Sequence, residues 1–276
     1  MVKNCFQLLL AVGALLGGAP HAADKPIIVG LFADGLTQEE RAPLREYLIK
    51  AMGRPVNLEV PERYKDTVAH LADGSYDFAW LGGVTYIRAH ASDGVIPLVQ
   101  RTSDRQNHSV FITEAGSSIH SLSDLKARQF AFGDIYSTSG HVIPDRELRD
   151  AGINPDTDLK FRYSGSHPLT ATLVETGVVD AGAMDETIFR SMATARKIDA
   201  KKIRVFHTTG PFVDWVYVAR RDVPVAEREK FAAALLALKQ GEDDAVLKVL
   251  GATQFVRVND EEYAALRRIA KQLGLF

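Results

Sequence analysis

The sequence predicts an α/β protein made of two similar lobes of about 100 residues each. Short apolar runs typical of strands alternate with longer segments of helical periodicity along most of the chain. A length of 276 residues with 46% hydrophobic residues suits two medium domains, each with its own core. Since no linker rich in proline, serine or glycine separates the halves, two short neighbouring connections are expected, as in hinged lobes.

The first half of the chain shows the β-α-β-α-β order that predicts a mostly parallel sheet covered by helices. Leu44, Leu48 and Met52 recur on one face of a helix predicted from Thr37 onward. Thr37 and Glu40 fit a capping box at its start. Strands are predicted over 27–32, 57–60, 77–81, 96–100 and 109–113.

The second half repeats this alternation and then returns to the first lobe. Strands are predicted over 129–132, 159–163, 180–184, 204–207 and 215–219, with helices over 140–151, 168–176 and 187–196. The tail from Val225 onward is predicted to be helical throughout. We therefore expect one lobe from 24–108 and 215–276, a second from 109–214, and hinge crossings near 107–113 and 208–214.

The first 23 residues have the pattern of a secretory signal peptide. Lys3 supplies the positive start, Phe6 to Leu16 is apolar, and Pro20-His21-Ala22-Ala23 offers small residues for cleavage. A membrane anchor is the alternative, but the apolar stretch is shorter than the ~20 residues that span a bilayer. The only cysteine, Cys5, lies in this segment, so no disulfide or cysteine-ligated metal is expected. The predicted location is the bacterial periplasm.

Composition and motifs argue against several function classes. The formal net charge of −2 does not indicate a nucleic-acid surface. The chain contains no Gly-x-Gly-x-x-Gly, no phosphate-binding Gly-x-x-x-x-Gly-Lys-Ser/Thr and no Gly-x-Ser-x-Gly nucleophile turn. The eight histidines lack His-x-x-x-His spacing, so neither a metal nor a cofactor is predicted. A hydrolase triad of Ser139, His167 and Asp185 stays open as an alternative.

The strongest site candidate is the stretch from Ser137 to His141, which follows the apolar run 129–132. Such a strand, loop and helix start offers unpaired backbone N–H groups and the positive end of the helix dipole to an anion. Ser137, Thr138 and Ser139 add three hydroxyl donors, and Gly140 follows them. One serine could serve only as a helix N-cap. Three hydroxyl residues before a glycine favour an anion site.

Further candidates lie where other predicted strands end, because open α/β sheets bind ligands at their carboxyl ends. Gly83 follows one strand, although the Gly82-Gly83 pair could be only a tight turn. His167 follows another, where His167-Pro168 could instead cap a helix. Asp185 follows an apolar strand, where a carboxylate needs a partner or a ligand to offset its desolvation.

These residues resemble the periplasmic phosphonate-binding proteins of ABC transporters. The resemblance rests on Phe132-Gly133-Asp134, on Ser137-Thr138-Ser139-Gly140 with Pro144, on the strand 77–82 and on Ser121-Leu122-Ser123-Asp124-Leu125. It implies the type II periplasmic binding fold, with two α/β lobes closing on a ligand in the cleft between them. It also implies binding without catalysis, a small phosphorus oxyanion as the ligand and an inner-membrane permease as the partner of a monomeric protein.

The resemblance also implies roles for single residues. Ser137, Thr138 and Ser139 match the group that holds the phosphonyl oxygens, with Gly140 and His141 on the same turn. Tyr64, His167 and Asp214 match a tyrosine of the first lobe, a histidine of the second and an acidic hinge residue. Asn107-His108 stands where aminoalkylphosphonate binders carry an aromatic residue, which favours phosphite, methylphosphonate or phosphate. An oxyanion-sensing subunit of a two-component system, presenting its ligand to a sensor kinase, is the alternative within the same fold.

Overall fold

A computed structural model describes residues 25–31, 36–61 and 63–275 of the chain. The predicted signal peptide over 1–23 lies outside these residues. Strands and helices alternate along the described chain, and the strands form two sheets. None of the helices within these ranges combines the length and the apolar character that crossing a bilayer requires.

The elements are short, as is usual for α/β proteins. The strands are β1 (Ile27–Gly30), β2 (Val56–Glu59), β3 (Phe78–Leu81), β4 (Ile96–Arg101), β5 (Ser109–Glu114), β6 (Gln129–Phe132), β7 (Lys160–Tyr163), β8 (Ala181–Asp185), β9 (Ile203–Thr208), β10 (Val216–Ala219) and β11 (Phe255–Arg257). The helices are α1 (Ala42–Met52), α2 (Tyr64–Asp73), α3 (Gly83–Asp93), α4 (Ile143–Asp150), α5 (Pro155–Asp158), α6 (His167–Glu175), α7 (Glu186–Thr194), α8 (Val225–Leu236), α9 (Asp244–Leu250) and α10 (Ala264–Gln272).

The first sheet combines strands from both ends of the chain, in the order β11-β4-β10-β3-β1-β2. β1 runs parallel to β2 and to β3. β10 inserts antiparallel between β3 and β4, and β11 pairs antiparallel with the other side of β4. The prediction of a mostly parallel sheet is therefore wrong, because strands returning from the second half of the chain complete a mixed sheet.

The second sheet is formed by consecutive strands in the order β7-β6-β8-β5-β9. β6 runs parallel to β7 and β8, whereas β5 is antiparallel to β8 and β9. Because β6, β7 and β8 are parallel, the segments that follow them emerge at the same edge of the sheet. This edge brings the hydroxyl-rich turn, His167 and Asp185 together.

Apolar clusters cover both faces of each sheet. One of them joins the two parts of the molecule, because Val142 and Ile143 beside the hydroxyl-rich turn pack with Tyr263, Leu266 and Ala270 near the C-terminus. Val142 is fully buried and Ile143 is 8% exposed. Burial of such side chains provides a non-directional attraction between the two sheets' layers.

Two of the predicted helical segments differ clearly from the structure in extent. Thr37 and Glu40 do exchange hydrogen bonds, with Thr37 N–H donating to Glu40 Oε2 (2.7 Å) and Glu40 N–H to Thr37 Oγ1 (3.2 Å). They close a turn, and α1 begins only at Ala42, where Pro43 suits the first helical turn. The C-terminal tail is not helical throughout, because β11 pairs with the edge of β4 that faces away from β10.

The chain passes between the sheets twice, and the two passages lie side by side. Asn107 and Phe212 form an isolated antiparallel bridge, in which each backbone N–H donates to the other residue's carbonyl at 2.9 Å. The Asp214 N–H donates to the Asp104 carbonyl, also at 2.9 Å. Both predicted hinge segments contribute to this pairing.

Candidate anion-binding cleft

The hydroxyl-rich segment is held in shape by its own backbone. After β6, the chain folds so that Gly133 N–H donates to the Gly140 carbonyl at 2.8 Å. A Cβ atom on Gly140 would lie only 3.1 Å from the Gly133 Cα, so the two glycines permit a close backbone approach. One π-helical turn over Thr138–Val142 then continues into α4.

Ser137 caps this turn, because its Oγ accepts a hydrogen bond from the Gly140 N–H at 3.0 Å. Ser137, Thr138 and Ser139 are all at most 2% exposed. The N–H groups at a helix start lack partners within the helix and carry the positive end of its dipole. Ser137 is therefore an N-cap, and Thr138 and Ser139 place two further buried hydroxyl groups beside it.

His167 approaches the same turn from the start of α6. Its Nδ1 accepts a hydrogen bond from the Asp185 backbone N–H at 3.3 Å, so the neutral ring carries its proton on Nε2. Burial lowers the His167 pKa, which the nearby Asp185 charge partly offsets. A Cβ on Gly140 would lie 3.0 Å from the His167 Cε1. His167 is thus a neutral imidazole packed against the turn.

Asp185 is fully buried and accepts hydrogen bonds from several protein donors. Its Oδ1 accepts the Ile188 N–H at 3.0 Å and so caps α7. Its Oδ2 accepts from Asn107 Nδ2 at 2.6 Å, from Ser139 Oγ at 3.3 Å and from Trp215 Nε1 at 3.3 Å. These donors provide the partners that a buried carboxylate requires.

Asp214 is 1% exposed and lies between the two sheets. Its carboxylate accepts from Gly83 N–H at 2.8 Å and from Asn107 Nδ2 at 3.1 Å. Burial raises the pKa of Asp214 to about 7, and the Asp185 charge contributes in the same direction. The Gly83 and Thr138 hydrogen bonds only partly offset this shift. Near neutral pH this carboxyl group is therefore present in both its protonated and its ionised form.

The opposite wall of the cleft is the N-terminus of α3. Val84 N–H donates to Thr138 Oγ1 at 3.0 Å, next to the bond between Gly83 and Asp214. Thr138 therefore connects the helix start after β3 with the helix start after β6. Two helix N-termini therefore meet at one buried hydroxyl, and each carries the positive end of a helix dipole.

One predicted site residue, His141, stands apart from this group. His141 Nδ1 lies 2.7 Å from the Ile135 carbonyl and its Nε2 lies 3.1 Å from the Tyr163 hydroxyl, so protein atoms occupy both ring nitrogens. Burial lowers the His141 pKa. Tyr64 is the first residue of α2. The structure therefore brings together Ser137, Thr138, Ser139, Gly140, His167, Asp185, Asp214 and Gly83.

The geometry does not form a hydrolase triad. In such a triad the serine donates to the histidine, and the histidine Nδ1–H donates to the carboxylate. Here Ser139 Oγ donates directly to Asp185, and His167 Nδ1 is an acceptor. Among the described residues, no three His, Cys, Asp or Glu side chains come together as metal ligands.

Asn107 is central to the site but was predicted only as a hinge residue and, through the resemblance, as a position that affects ligand choice. Its single amide nitrogen donates to both Asp185 and Asp214 and thereby joins two carboxylates. Its position in a predicted hinge segment beside a strand was the available signal. Trp215, the indole donor to Asp185, precedes β10 and was interpreted only as part of an apolar strand.

A family model described as ABC transporter, phosphonate, periplasmic substrate-binding protein matches residues 33–263. The chain is 27% identical over 213 residues, 72% of either protein, to a probable ABC transporter phosphite binding protein, PhnD1, of Prochlorococcus marinus (strain MIT 9301). The structure of PhnD1 from that strain in complex with methylphosphonate matches with a TM-score of 0.83 and 25% identity, covering 91% of this chain and 99% of that one. A binding protein component of an ABC phosphonate transporter from Pseudomonas aeruginosa shares the fold, with a TM-score of 0.81, 19% identity and coverages of 89% and 86%.

These matches confirm the predicted type II periplasmic binding fold and the prediction of a solute-binding protein that is not an enzyme. They also confirm a small-molecule ligand, a membrane permease as partner and a periplasmic location. The family model spans most of the chain, including the hydroxyl-rich turn, His167, Asp185 and Asp214. The chain belongs to the family of periplasmic substrate-binding proteins of phosphonate ABC transporters.

Proposed function

We propose that this protein captures a small phosphorus oxyanion between the Ser137–His141 turn and the start of α3, and delivers it to its permease. The observation that carries the proposal is the meeting of two helix starts at Thr138. The exported chain acts as a monomer whose two lobes, each built on one sheet, hinge at the Asn107–Phe212 pairing. The proposed signal peptide over 1–23 directs it to the periplasm.

Hydrogen bonds supply the attraction for the ligand. Backbone N–H groups of the turn, the Ser137 and Ser139 hydroxyls and the Nε2–H of His167 are the proposed donors. Hydrogen bonds that involve a charged group each contribute about 1.5–3 kcal/mol. Tyr64 is proposed to reach the ligand from the first lobe. His141 contributes by supporting the turn through Ile135 and Tyr163.

Asp214 and Asp185 favour a ligand that carries a proton. A carboxylate beside an anion repels it unless one of the two is protonated. Because the Asp214 pKa is raised to about 7, part of this group is ionised near neutral pH, and the ionised form accepts a hydrogen bond from a protonated phosphorus anion. A fully ionised sulfate offers no such proton. Relatives named for phosphite binding or described with methylphosphonate favour an anion of that small size.

Isothermal titration calorimetry tests this proposal with phosphite, methylphosphonate, phosphate and sulfate. We expect dissociation constants in the micromolar range or below for at least one phosphorus anion, and no comparable binding of sulfate. Ser139→Ala should weaken binding about tenfold to a hundredfold, because one hydrogen bond to a charged ligand is lost. The exposed Ser103→Ala serves as a control and should bind as the wild type does. No heat from any phosphorus anion would overturn the proposal.

A further inference from the structure

A second contact between the two lobes lies just outside the anion site. Thr85 and Arg88, one helical turn apart on α3, both face Tyr136 of the loop that precedes Ser137. The Thr85 hydroxyl donates to the Tyr136 carbonyl at 3.2 Å. The Arg88 guanidinium carbon lies 3.6 Å from the centre of the Tyr136 ring.

This stacking has the geometry of a cation–π contact, which is strongest when water is partly excluded. Arg88 and Tyr136 are both half-buried. The charges around the pair are mixed. The Asp134 side chain accepts the Tyr136 N–H at 2.8 Å. Interactions with His141, Arg88 and Lys65 act to lower the Asp134 pKa. Burial nevertheless raises the Asp134 pKa.

We propose that Arg88 and Tyr136 form a clasp that holds the cleft closed and slows ligand release without touching the ligand. The proposal rests on the proposed function for its role in release. Arg88 belongs to the same helix as Val84, whose N–H bonds Thr138 in the site. Tyr136 precedes the cap residue Ser137. Opening the lobes must therefore separate the guanidinium from the ring.

A ligand-free measurement tests the clasp independently of what the protein binds. In a Cys5→Ser background the chain has no other cysteine, so spin labels can be placed at the exposed positions Lys65→Cys and Leu169→Cys. These positions lie at the start of α2 and of α6, one on each lobe. Arg88→Met keeps an apolar stem but removes the charge, and should shift the distance distribution toward longer distances. An unchanged distribution would overturn the proposal.

Dissociation kinetics test the effect on the ligand, with methylphosphonate as the probe. Arg88→Met and Tyr136→Leu should each release it about five- to tenfold faster than the wild type. The double variant should be no faster than either single variant, since both remove one contact. Tyr136→Phe is the matched control, because it keeps the ring and should release the probe at the wild-type rate.

The two proposals fail differently. If the wild type binds none of the phosphorus anions but Arg88→Met opens the ligand-free protein, the anion proposal is wrong and the clasp stands. If binding is intact but Tyr136→Phe releases the probe as fast as Tyr136→Leu, or the effects of the single variants add, the clasp is wrong.

Discussion

At the scale of single residues, the hydrogen-bond donors around Asp185 and Asp214 determine how these two buried carboxyl groups behave. Asp185 caps α7 and also accepts from Ser139, Asn107 and Trp215. Asp214 accepts from Gly83 and shares the Asn107 amide. A negative charge at Asp214 therefore faces a second carboxylate at close range, which gives this group the proton-dependent role in the site.

The raised pKa of Asp214 predicts a pH dependence of stability. The ordinary pKa of 3.8 rises to about 7 in the folded protein, so the folded state holds this proton more tightly than the unfolded state does. The resulting stabilisation is complete below about pH 4 and is lost as the pH rises toward 7. Its contribution to the free energy of unfolding falls by up to about 1.4 kcal/mol per pH unit in that window.

Asp214→Asn should remove this part of the slope. Urea unfolding of the ligand-free protein at about pH 4.5, 6 and 7.5 measures it. The wild type should lose stability relative to the variant between pH 4.5 and 7, and the difference should level off above 7. Parallel pH profiles for the two proteins would show that Asp214 titrates normally.

The roles of some site residues could be predicted from the sequence, and those of others could not. Ser137 and Asp185 were recognisable because each follows a strand and precedes a helix, where a side-chain oxygen meets free N–H groups. The resemblance gave Asn107 a bearing on ligand choice, but its hydrogen bonds to two carboxylates were not recognisable. Its role depends on the pairing of two chain segments that are about 100 residues apart, which no local pattern specifies.

Elements in the cleft depend on close backbone contacts, and the turn after β6 is the clearest case. A Cβ on Gly140 would lie 2.9 Å from Ser137 Oγ, 3.0 Å from His167 Cε1 and 3.1 Å from Gly133 Cα. Gly140→Ala should therefore push apart the cap, the imidazole and the preceding strand. We expect a loss of about 1–3 kcal/mol in the free energy of unfolding, the usual cost of overpacking.

The same substitution should weaken methylphosphonate binding by more than tenfold, because Ser137 and His167 are displaced together. Gly116→Ala is the matched control, since a Cβ there meets no atom within 4 Å. It should change stability by less than about 1 kcal/mol and leave affinity unchanged. Chemical denaturation and calorimetry on both variants measure these effects. Equal behaviour of the two variants would contradict the role of the close approach.

Periodicity in the sequence predicted most strands and helices within a few residues, since each buries one face. The exceptions have tertiary causes. β11 forms by pairing with β4, and β10 pairs with both β3 and β4. Both pairings join segments that are distant in the sequence, so local periodicity does not predict them. The start of α1 was displaced by Pro43, which favours the first helical turn over the capping turn at Thr37.

At the scale of the whole molecule, we expect closure of the two lobes to change the tryptophan fluorescence. Trp80 and Trp215 are the two tryptophans of the chain, with ring centres 4.8 Å apart. The Trp215 indole N–H bonds Asp185, which belongs to the other sheet, whereas Trp80 lies within β3. Hinge motion must therefore change the surroundings of Trp215 more than those of Trp80.

Titration with methylphosphonate tests this in two variants. Trp80→Phe should keep most of the ligand-induced fluorescence change, and Trp215→Phe should lose it. Because Trp215→Phe also removes one hydrogen bond to Asp185, its affinity should fall by up to about tenfold, so saturation requires more ligand. The reverse assignment of the signal would contradict the predicted motion around Asp185.

Asn107 has two roles at the crossing between the sheets, one through its backbone and one through its side chain. Its backbone pairs with Phe212 in the passage between the sheets, while its side chain donates to both Asp185 and Asp214. Rotation about this residue should therefore move the amide relative to Asp214 and change the proton affinity of that carboxyl group. We therefore expect ligand release and proton binding at Asp214 to be linked equilibria, each shifting the other.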